Sequence, residues 1–311
     1  MDKTKLVILH KSDNPSTDFF IRSRFSEAEF DIRVFEFSEN PTAGELDGAV
    51  VVIVRYVSLS WRRLIQAHRD QIKRLVYFMD DDLWDGGASA NQRWRYRLKL
   101  FLYARVHRAW LLRIGAEIKV SMPFLADKYA GCSAKVWSPQ SIYHSFTESW
   151  VLPHSPVIFY HGTSSHFDEV CWLLPVFKKI FARYPNVRFE VIGDQRVSAL
   201  FGGLTYVSVV PQMNWAEYRH FIQQPGRTIG LAPLLDTPFN RARAPTKLFD
   251  ITAAGAVGVY ADSAVYQGAV VDKENGRLVA MNHQAWVTAI SDLLSNPEKT
   301  AHYYRSALSR V

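Results

Sequence analysis

Only two cysteines, Cys132 and Cys171, occur among the 311 residues. With no C-x-x-C pair, they exclude a disulfide framework and a cysteine zinc site, and a reducing cytosol is the expected compartment. No His/Asp/Glu spacing of the zinc-binding kind is present either. Long apolar runs are equally scarce. No window reaches the roughly 18 apolar residues that a membrane span needs. The early run Leu6-Val-Ile-Leu is too short for a signal peptide and reads as a first buried strand. Internal repeats, low-complexity tracts and disorder-prone composition are absent. At 48% hydrophobic residues the chain can fill sizeable cores, and its length suits two domains.

Acidic residues are missing from one stretch altogether. Residues 91–113 carry Arg93, Arg95, Arg97, Lys99, Arg105, Arg108 and Arg113 and no acid, which matches the whole net charge of +7. Interleaved with them are Trp94, Tyr96, Leu98, Leu100, Phe101, Leu102, Tyr103 and Trp110. A basic helix of this make-up suits an anionic membrane surface. It equally suits a solvated basic face over a buried apolar stripe. A nucleic-acid surface is disfavoured, because no recognised DNA- or RNA-binding motif accompanies the patch.

Short apolar runs alternate with longer helical patterns along the chain. Strands are predicted at 5–10, 32–37, 49–55, 74–79, 117–121 and 134–137, with helices at 16–27, 58–70, 91–113 and 123–130. A Pro- and Ser-containing stretch, 138–156, reads as a linker. A second set follows: strands from 157 and at 187–192, 206–209, 228–231 and 258–261, with helices at 168–184, 215–223 and 245–254. The pattern predicts an α/β fold of two doubly wound, Rossmann-like domains, residues 1–150 and 151–311, facing a central cleft. The last helical piece, 297–311, is expected to pack back across the domains.

The densest functional signal lies at 230–279. The strand pattern Thr228-Ile-Gly-Leu breaks into Asp236-Thr-Pro-Phe-Asn-Arg-Ala-Arg-Ala-Pro, and a helix follows from about Pro245 to Ala254, stopped by Gly255. Lys247 and Asp250, three apart, share one helix face. The helix N-terminus and Lys247 favour an anion, and Asp250 can accept hydrogen bonds from sugar hydroxyls. A diphosphate with a ribose behind it fits such a surface.

The series Pro233…Asp236-x-x-Phe239-Asn240…Pro245-x-Lys247-x-x-Asp250…Ala254-Gly255…Val259-x-Ala261-Asp262…Tyr266…Glu274-Asn275-Gly276-x-Leu278-Val279 resembles the donor half of GT-B glycosyltransferases. The retaining group that builds bacterial surface polysaccharides is the nearest likeness. The resemblance implies that Lys247 contacts the donor diphosphate and Asp250 the ribose, with the acceptor on the first domain and the nucleotide sugar on the second. It departs from the pattern at Asp250, usually Glu, and at Ala242, where many members carry another Glu. Arg241 and Arg243, flanking Ala242, are candidates for stabilising the departing diphosphate. Phe239 and Asn240 are placed near the transferred sugar by the resemblance alone.

Three further segments are candidates. Asp80-Asp81-Asp82 follows the fourth strand, where three adjacent carboxylates need a cation, a base role or hydrogen bonds. They read as a GT-B acceptor loop led by Asp80, as a metal-binding Asp-x-Asp of the GT-A type, or as an exposed loop that caps a helix, with Asp82 orienting Trp84. In His161-Gly162-Thr163-Ser164, small residues let backbone approach phosphate, and relatives use this loop beside the donor; His166 and Asp168 cap or orient the next helix. Gly193-Asp194 lies near the nucleotide base or is a plain turn, and His10-Lys11-Ser12-Asp13 faces the cleft.

The expected activity is transfer of a sugar from a nucleotide diphosphate, UDP or GDP, to a hydroxyl of a glycan or lipid-linked glycan. Retention of configuration, a front-face displacement and no metal cofactor complete that expectation. The site is Asp80, Asp81, Asp82, Arg241 and Lys247 for catalysis, with His161, Gly162, Thr163, Asn240, Arg243, Lys247 and Asp250 for the donor. The expected place of action is cytoplasmic, at the inner membrane face. The rivals are a non-catalytic nucleotide-sugar-binding partner subunit and a metal-dependent GT-A transferase.

Overall fold

The computed structural model describes residues 3–147, 149–162 and 166–311. The chain divides into two compact units. The first runs to Ile142 and includes Thr237–Ala244; the second comprises Tyr143–Asp236 and Pro245–Val311.

In the first unit, β1 (Thr4–Leu9), β2 (Phe30–Phe35), β3 (Val50–Val54), β4 (Arg74–Met79), β5 (Glu117–Val120) and β6 (Lys135–Val136) form an all-parallel sheet of order β2-β1-β3-β4-β5-β6. β3 is Val-Val-Val-Ile-Val and every residue of it is buried, as expected of a central parallel strand covered on both faces. Order reverses between β1 and β3, so the carboxyl ends of those two strands flank a switch point where α/β sheets hold ligands.

Two predicted helices of this unit come out differently. Residues 16–27 hold only a short helix, Pro15–Thr17, and a π-helical turn, Asp18–Arg22. Residues 91–113 break into helix Trp94–Tyr103, a 3-10 turn Arg105–His107 and helix Arg108–Arg113. The break has a cause in hydrogen bonding. The Tyr103 carbonyl accepts from Val57 N–H at 2.8 Å, and the Leu102 carbonyl lies 3.2 Å from His107 Nε2. Both acceptors are therefore engaged outside the helical ladder.

In the second unit, β7 (Val157–Tyr160), β8 (Arg188–Gly193), β9 (Val207–Pro211), β10 (Ile229–Ala232), β11 (Val257–Ala261) and β12 (Arg277–Val279) are again all parallel, in the order β12-β11-β10-β7-β8-β9. Numbered from β7, this is the 3-2-1-4-5-6 order of dinucleotide-binding sheets, with its switch point between β7 and β10. From Tyr143 onward the predicted linker belongs to this unit. Trp150 is buried with Nε1 donating to the Thr228 carbonyl at 3.1 Å, and the Thr147 carbonyl accepts from Tyr304 O–H at 2.8 Å. Helix Pro297–Leu308 belongs here too and packs against β11. Among the described residues no helix is long and apolar enough to cross a membrane.

Candidate active site

At the first unit's switch point the chain leaves β3 through a turn that is costly for arginine. Arg55 has φ 66°, and Tyr56 N–H donates to the Val54 carbonyl at 2.7 Å, which closes a three-residue γ-turn around it. Three contacts fix the turn: Arg55 N–H donates to the Phe78 carbonyl at 2.8 Å, the Arg55 carbonyl accepts from buried Tyr77 O–H at 2.8 Å, and the guanidinium is pinned by carboxylates. Nη1 lies 2.9 Å from Asp80 Oδ1 and Nη2 lies 2.7 Å from Asp81 Oδ2. Ser16, in the helix after β1, donates to Asp80 Oδ2 at 2.6 Å. Loops after β1, β3 and β4 thus meet on Asp80.

Burial pushes the Asp80 carboxyl above the ordinary carboxylate range, and the Asp81 charge adds to that while Arg55 and Ser16 oppose it. Burial works against the Arg55 cation, yet Asp80 and Asp81 outweigh it and hold its pKa well above the usual value. Burial also disfavours ionisation of Tyr56, but Arg55 and Lys99 more than offset it, leaving the phenol more acidic than usual. Lys99 Nζ lies 4.1 Å from the Tyr56 ring centre.

Asp82 goes elsewhere. Its side chain is fully buried, accepting from Tyr129 O–H at 2.5 Å and from Lys128 Nζ at 2.6 Å. Lys128 also reaches Asp85 at 2.5 Å. The three neighbouring carboxylates divide between two cations, Asp80 and Asp81 on Arg55 and Asp82 on Lys128, so Asp82 ties the loop after β4 to helix Pro123–Lys128. Among the described residues no group of three or more His, Cys, Asp or Glu side chains is gathered as a cation site. The two carboxylates of the Asp-x-Asp reading, Asp80 and Asp82, turn to different cations, Arg55 and Lys128. His10 is buried, with Nδ1 3.0 Å from Thr17 Oγ1.

In the second unit, the loop after β7 begins with His161 and Gly162; Thr163, Ser164 and Ser165 lie outside the described residues. The His161 ring is built into the scaffold. Its Nε2 lies 2.9 Å from Glu190 Oε1 and its Nδ1 3.4 Å from Tyr218 Oη, while Arg227 Nε donates to the same Glu190 oxygen at 2.6 Å. Burial pushes the His161 pKa down to about 4 against the pull of Glu190, so the ring is neutral near pH 7. What His161 and Gly162 present is therefore backbone. A Cβ on Gly162 would sit 3.0 Å from His166 Cβ and 3.1 Å from Tyr160 Oη.

The switch-point strands also place the key helix, Lys247–Ala253. Gly230 in β10 lets it come close: a Cβ there would lie 2.5 Å from Ile251 Cγ1. Gly255, at φ 73°, closes it beyond the Ala254 cap. Lys247 Nζ donates to the His161 carbonyl and lies 5.4 Å from the Tyr160 ring centre. One turn on, Asp250 accepts from Tyr143 O–H at 2.7 Å. Burial pushes the Asp250 carboxyl above its ordinary range, against the Lys247 charge and the Tyr143 hydrogen bond.

Asn240, Arg241 and Arg243 fall in Thr237–Ala244, which belongs to the first unit. Asn240–Ala242 is one 3-10 turn, Arg243 Nε donates to Asn240 Oδ1 at 3.0 Å, and the Phe239 ring meets Tyr96 edge-on at 6.0 Å. Ala242 is fully buried in the first unit's hydrophobic core. A glutamate here would place a charge among apolar side chains. Gly193 ends β8, and Asp194 caps helix Gln195–Leu200 by accepting from the N–H groups of Arg196 and Val197.

Sequence reading missed Ser16, Arg55, Tyr143, Glu190 and Arg227. Arg55 carried a usable signal, a charged residue directly after a strand of five buried aliphatics. The others depend on contacts 29 to 107 positions apart, which no local spacing shows.

No family model matches the sequence, and neither does any curated protein. Solved structures do match it over nearly its full length. A glycosyltransferase from Rickettsia africae matches with a TM-score of 0.63 at 10% identity, covering 100% of this chain and 93% of that one. Sucrose-phosphate synthase from Thermosynechococcus elongatus matches at 0.60 and 13%, covering 99% and 94%. The chain has the GT-B fold. HepE from Anabaena, solved in complex with UDP and glucose, is similar too, at 0.60 and 12% over 98% and 94%. At these identities the likeness establishes the GT-B architecture, two Rossmann-like units of parallel sheet.

Proposed function

We propose that this GT-B protein is a glycosyltransferase that moves a sugar from UDP to a hydroxyl of a glycan or lipid-linked glycan. The observation that carries the proposal is the pair Lys247 and Asp250, one turn apart on a helix packed against β10 beside a β7/β10 switch point. The similarity to HepE, whose structure holds UDP and glucose, supports UDP over other nucleotides.

In this reading Lys247 Nζ exchanges the His161 carbonyl for the leaving diphosphate and neutralises the charge that grows there as the glycosidic C–O bond breaks. Asp250, oriented by Tyr143, accepts hydrogen bonds from the ribose hydroxyls. His161 and Gly162 contribute backbone, held firm by Glu190, Arg227 and Tyr218. In the first unit Asp80, kept in place by Arg55 and Ser16, orients the acceptor hydroxyl. Arg241 and Arg243 are proposed as further cations for the diphosphate on the strength of the family resemblance. The transfer proceeds with retention and without a metal: the acceptor oxygen bonds to the anomeric carbon as the diphosphate departs, and the acceptor proton passes to the diphosphate. The product is a step in surface polysaccharide assembly.

The test is transfer from radiolabelled UDP-glucose and UDP-N-acetylglucosamine to a panel of glycan and lipid-linked acceptors in EDTA, with the product linkage read by NMR. An α-linked product from the α-linked donor supports the reading, and a β-linked product removes the front-face step. Nucleotide binding with no transfer to any acceptor, and no hydrolysis of the donor, would instead favour a non-catalytic partner subunit.

A further inference from the structure

Helix Trp94–Tyr103 is apolar on two opposite sides. Leu100 is fully buried, and Tyr96 and Tyr103 pack beside it on the first unit's core. On the other side Trp94, Leu98, Phe101 and Leu102 follow the i, i+4, i+7, i+8 spacing of a single face. They are 67%, 46%, 51% and 46% exposed. Val106 and Leu112, in the following turns, are exposed as well. By helical periodicity Arg95 and Arg97 border the outer stripe on its two sides. Among the described residues Arg93, Arg95, Arg97 and Arg113 are exposed and have no acidic partner, although Arg95 lies 5.5 Å from the Trp94 ring centre.

Singly exposed apolar residues are ordinary, but four on one helical face, bordered by unpaired cations, mark an interaction surface. We propose that this face docks on an anionic lipid bilayer, with Trp94, Leu98, Phe101 and Leu102 entering the interface and Arg93, Arg95 and Arg97 meeting the headgroups. The charge chooses the occupant. The 91–113 segment contains no acid, so a second copy apposed face to face would set arginine against arginine. Nucleic acid is disfavoured because no recognised DNA- or RNA-binding motif accompanies the segment. An interfacial helix requires what is present, an aromatic and aliphatic face with arginines at its margins.

The inference stands on the first unit alone and does not rest on the proposed transfer activity. Flotation with vesicles of phosphatidylcholine, alone or with roughly a third phosphatidylglycerol, tests it. The wild type is expected to float with the anionic vesicles only, and to release as salt is raised to about 0.5 M. Trp94→Ser/Phe101→Ser is expected to lower partitioning at least tenfold, and Arg95→Gln/Arg97→Gln to remove the preference for anionic lipid. Both double variants should melt with the wild type, since the altered side chains are exposed. Equal partitioning of wild type and Trp94→Ser/Phe101→Ser would overturn the proposal. So would absence of flotation together with a concentration-dependent dimer in sedimentation velocity that the same double variant abolishes, which would assign the face to a second copy.

Discussion

Arg55 is held at a φ of 66° while its Nη1 lies 2.9 Å from Asp80 Oδ1. A left-handed turn around a non-glycine residue costs on the order of 1–3 kcal/mol and persists only where its surroundings over-determine it. Here the compensation is the pairing with Asp80 and Asp81, and the gain is a carboxylate fixed at the end of β4. Arg55→Ala keeps the strain and strands two adjacent carboxylates. We expect a loss of about 2–4 kcal/mol in urea unfolding, toward the low end of the range for broken buried pairs because both carboxylates keep some exposure. Arg55→Gly, relieved of the strain, should retain about 0.5–1 kcal/mol more than Arg55→Ala. Equal stabilities would mean that the turn is not strained.

Ala242→Glu restores the residue common in the resembling family and is expected to harm this protein. The position is fully buried among apolar side chains, so the carboxylate must be buried unpaired or protonated. A loss of at least about 3 kcal/mol in denaturant unfolding is expected. A stable Ala242→Glu with raised activity would contradict this placement of the 237–244 segment.

The folded-state pKa of His161, about 4, lies below the ordinary 6.5. The unfolded chain therefore binds the extra proton between those values. The contribution of His161 to stability is complete above pH 6.5 and is lost as pH falls toward 4, by up to about 3 kcal/mol. Long-range ¹H–¹⁵N NMR should show one imidazole still neutral at pH 5, and that signal should vanish in His161→Gln. Titration of His161 between pH 6 and 7 would refute the buried assignment.

Gly230→Ala places a methyl 2.5 Å from Ile251 on the helix that carries Lys247 and Asp250. A loss of about 1–3 kcal/mol is expected, with weakened nucleotide binding as the helix shifts. Gly230→Ala/Ile251→Ala should be less destabilised than the sum of its single changes, because the clash disappears with the larger side chain. Simple additivity would argue against close packing of helix on strand.

The alternation of buried strands and helices made the two doubly wound units legible, because parallel strands such as Val50–Val54 are apolar throughout. Lys247 and Asp250 were legible because three-residue spacing on a helix is local information. The partners that orient them were not: Tyr143 reaches Asp250 across 107 positions, and Glu190 and Tyr218 hold the His161 ring from other elements, leaving its backbone as the donor candidate. The sequence already set Asp80 apart from Asp82, but not the cations that separate them, because Arg55 and Lys128 approach from different elements. The break after Tyr103 was hidden for the same reason, since the Val57 N–H that takes its carbonyl is far away in the chain.

The central claim is that Lys247 meets the diphosphate of a UDP-sugar. Isothermal titration of UDP into wild type and Lys247→Ala, each in EDTA, tests it most directly. Losing one charge-assisted contact of about 1.5–3 kcal/mol predicts binding that survives EDTA and weakens roughly 10- to 100-fold in Lys247→Ala. Equal affinity of the two proteins for UDP, or UDP binding that requires a divalent metal, would contradict the account.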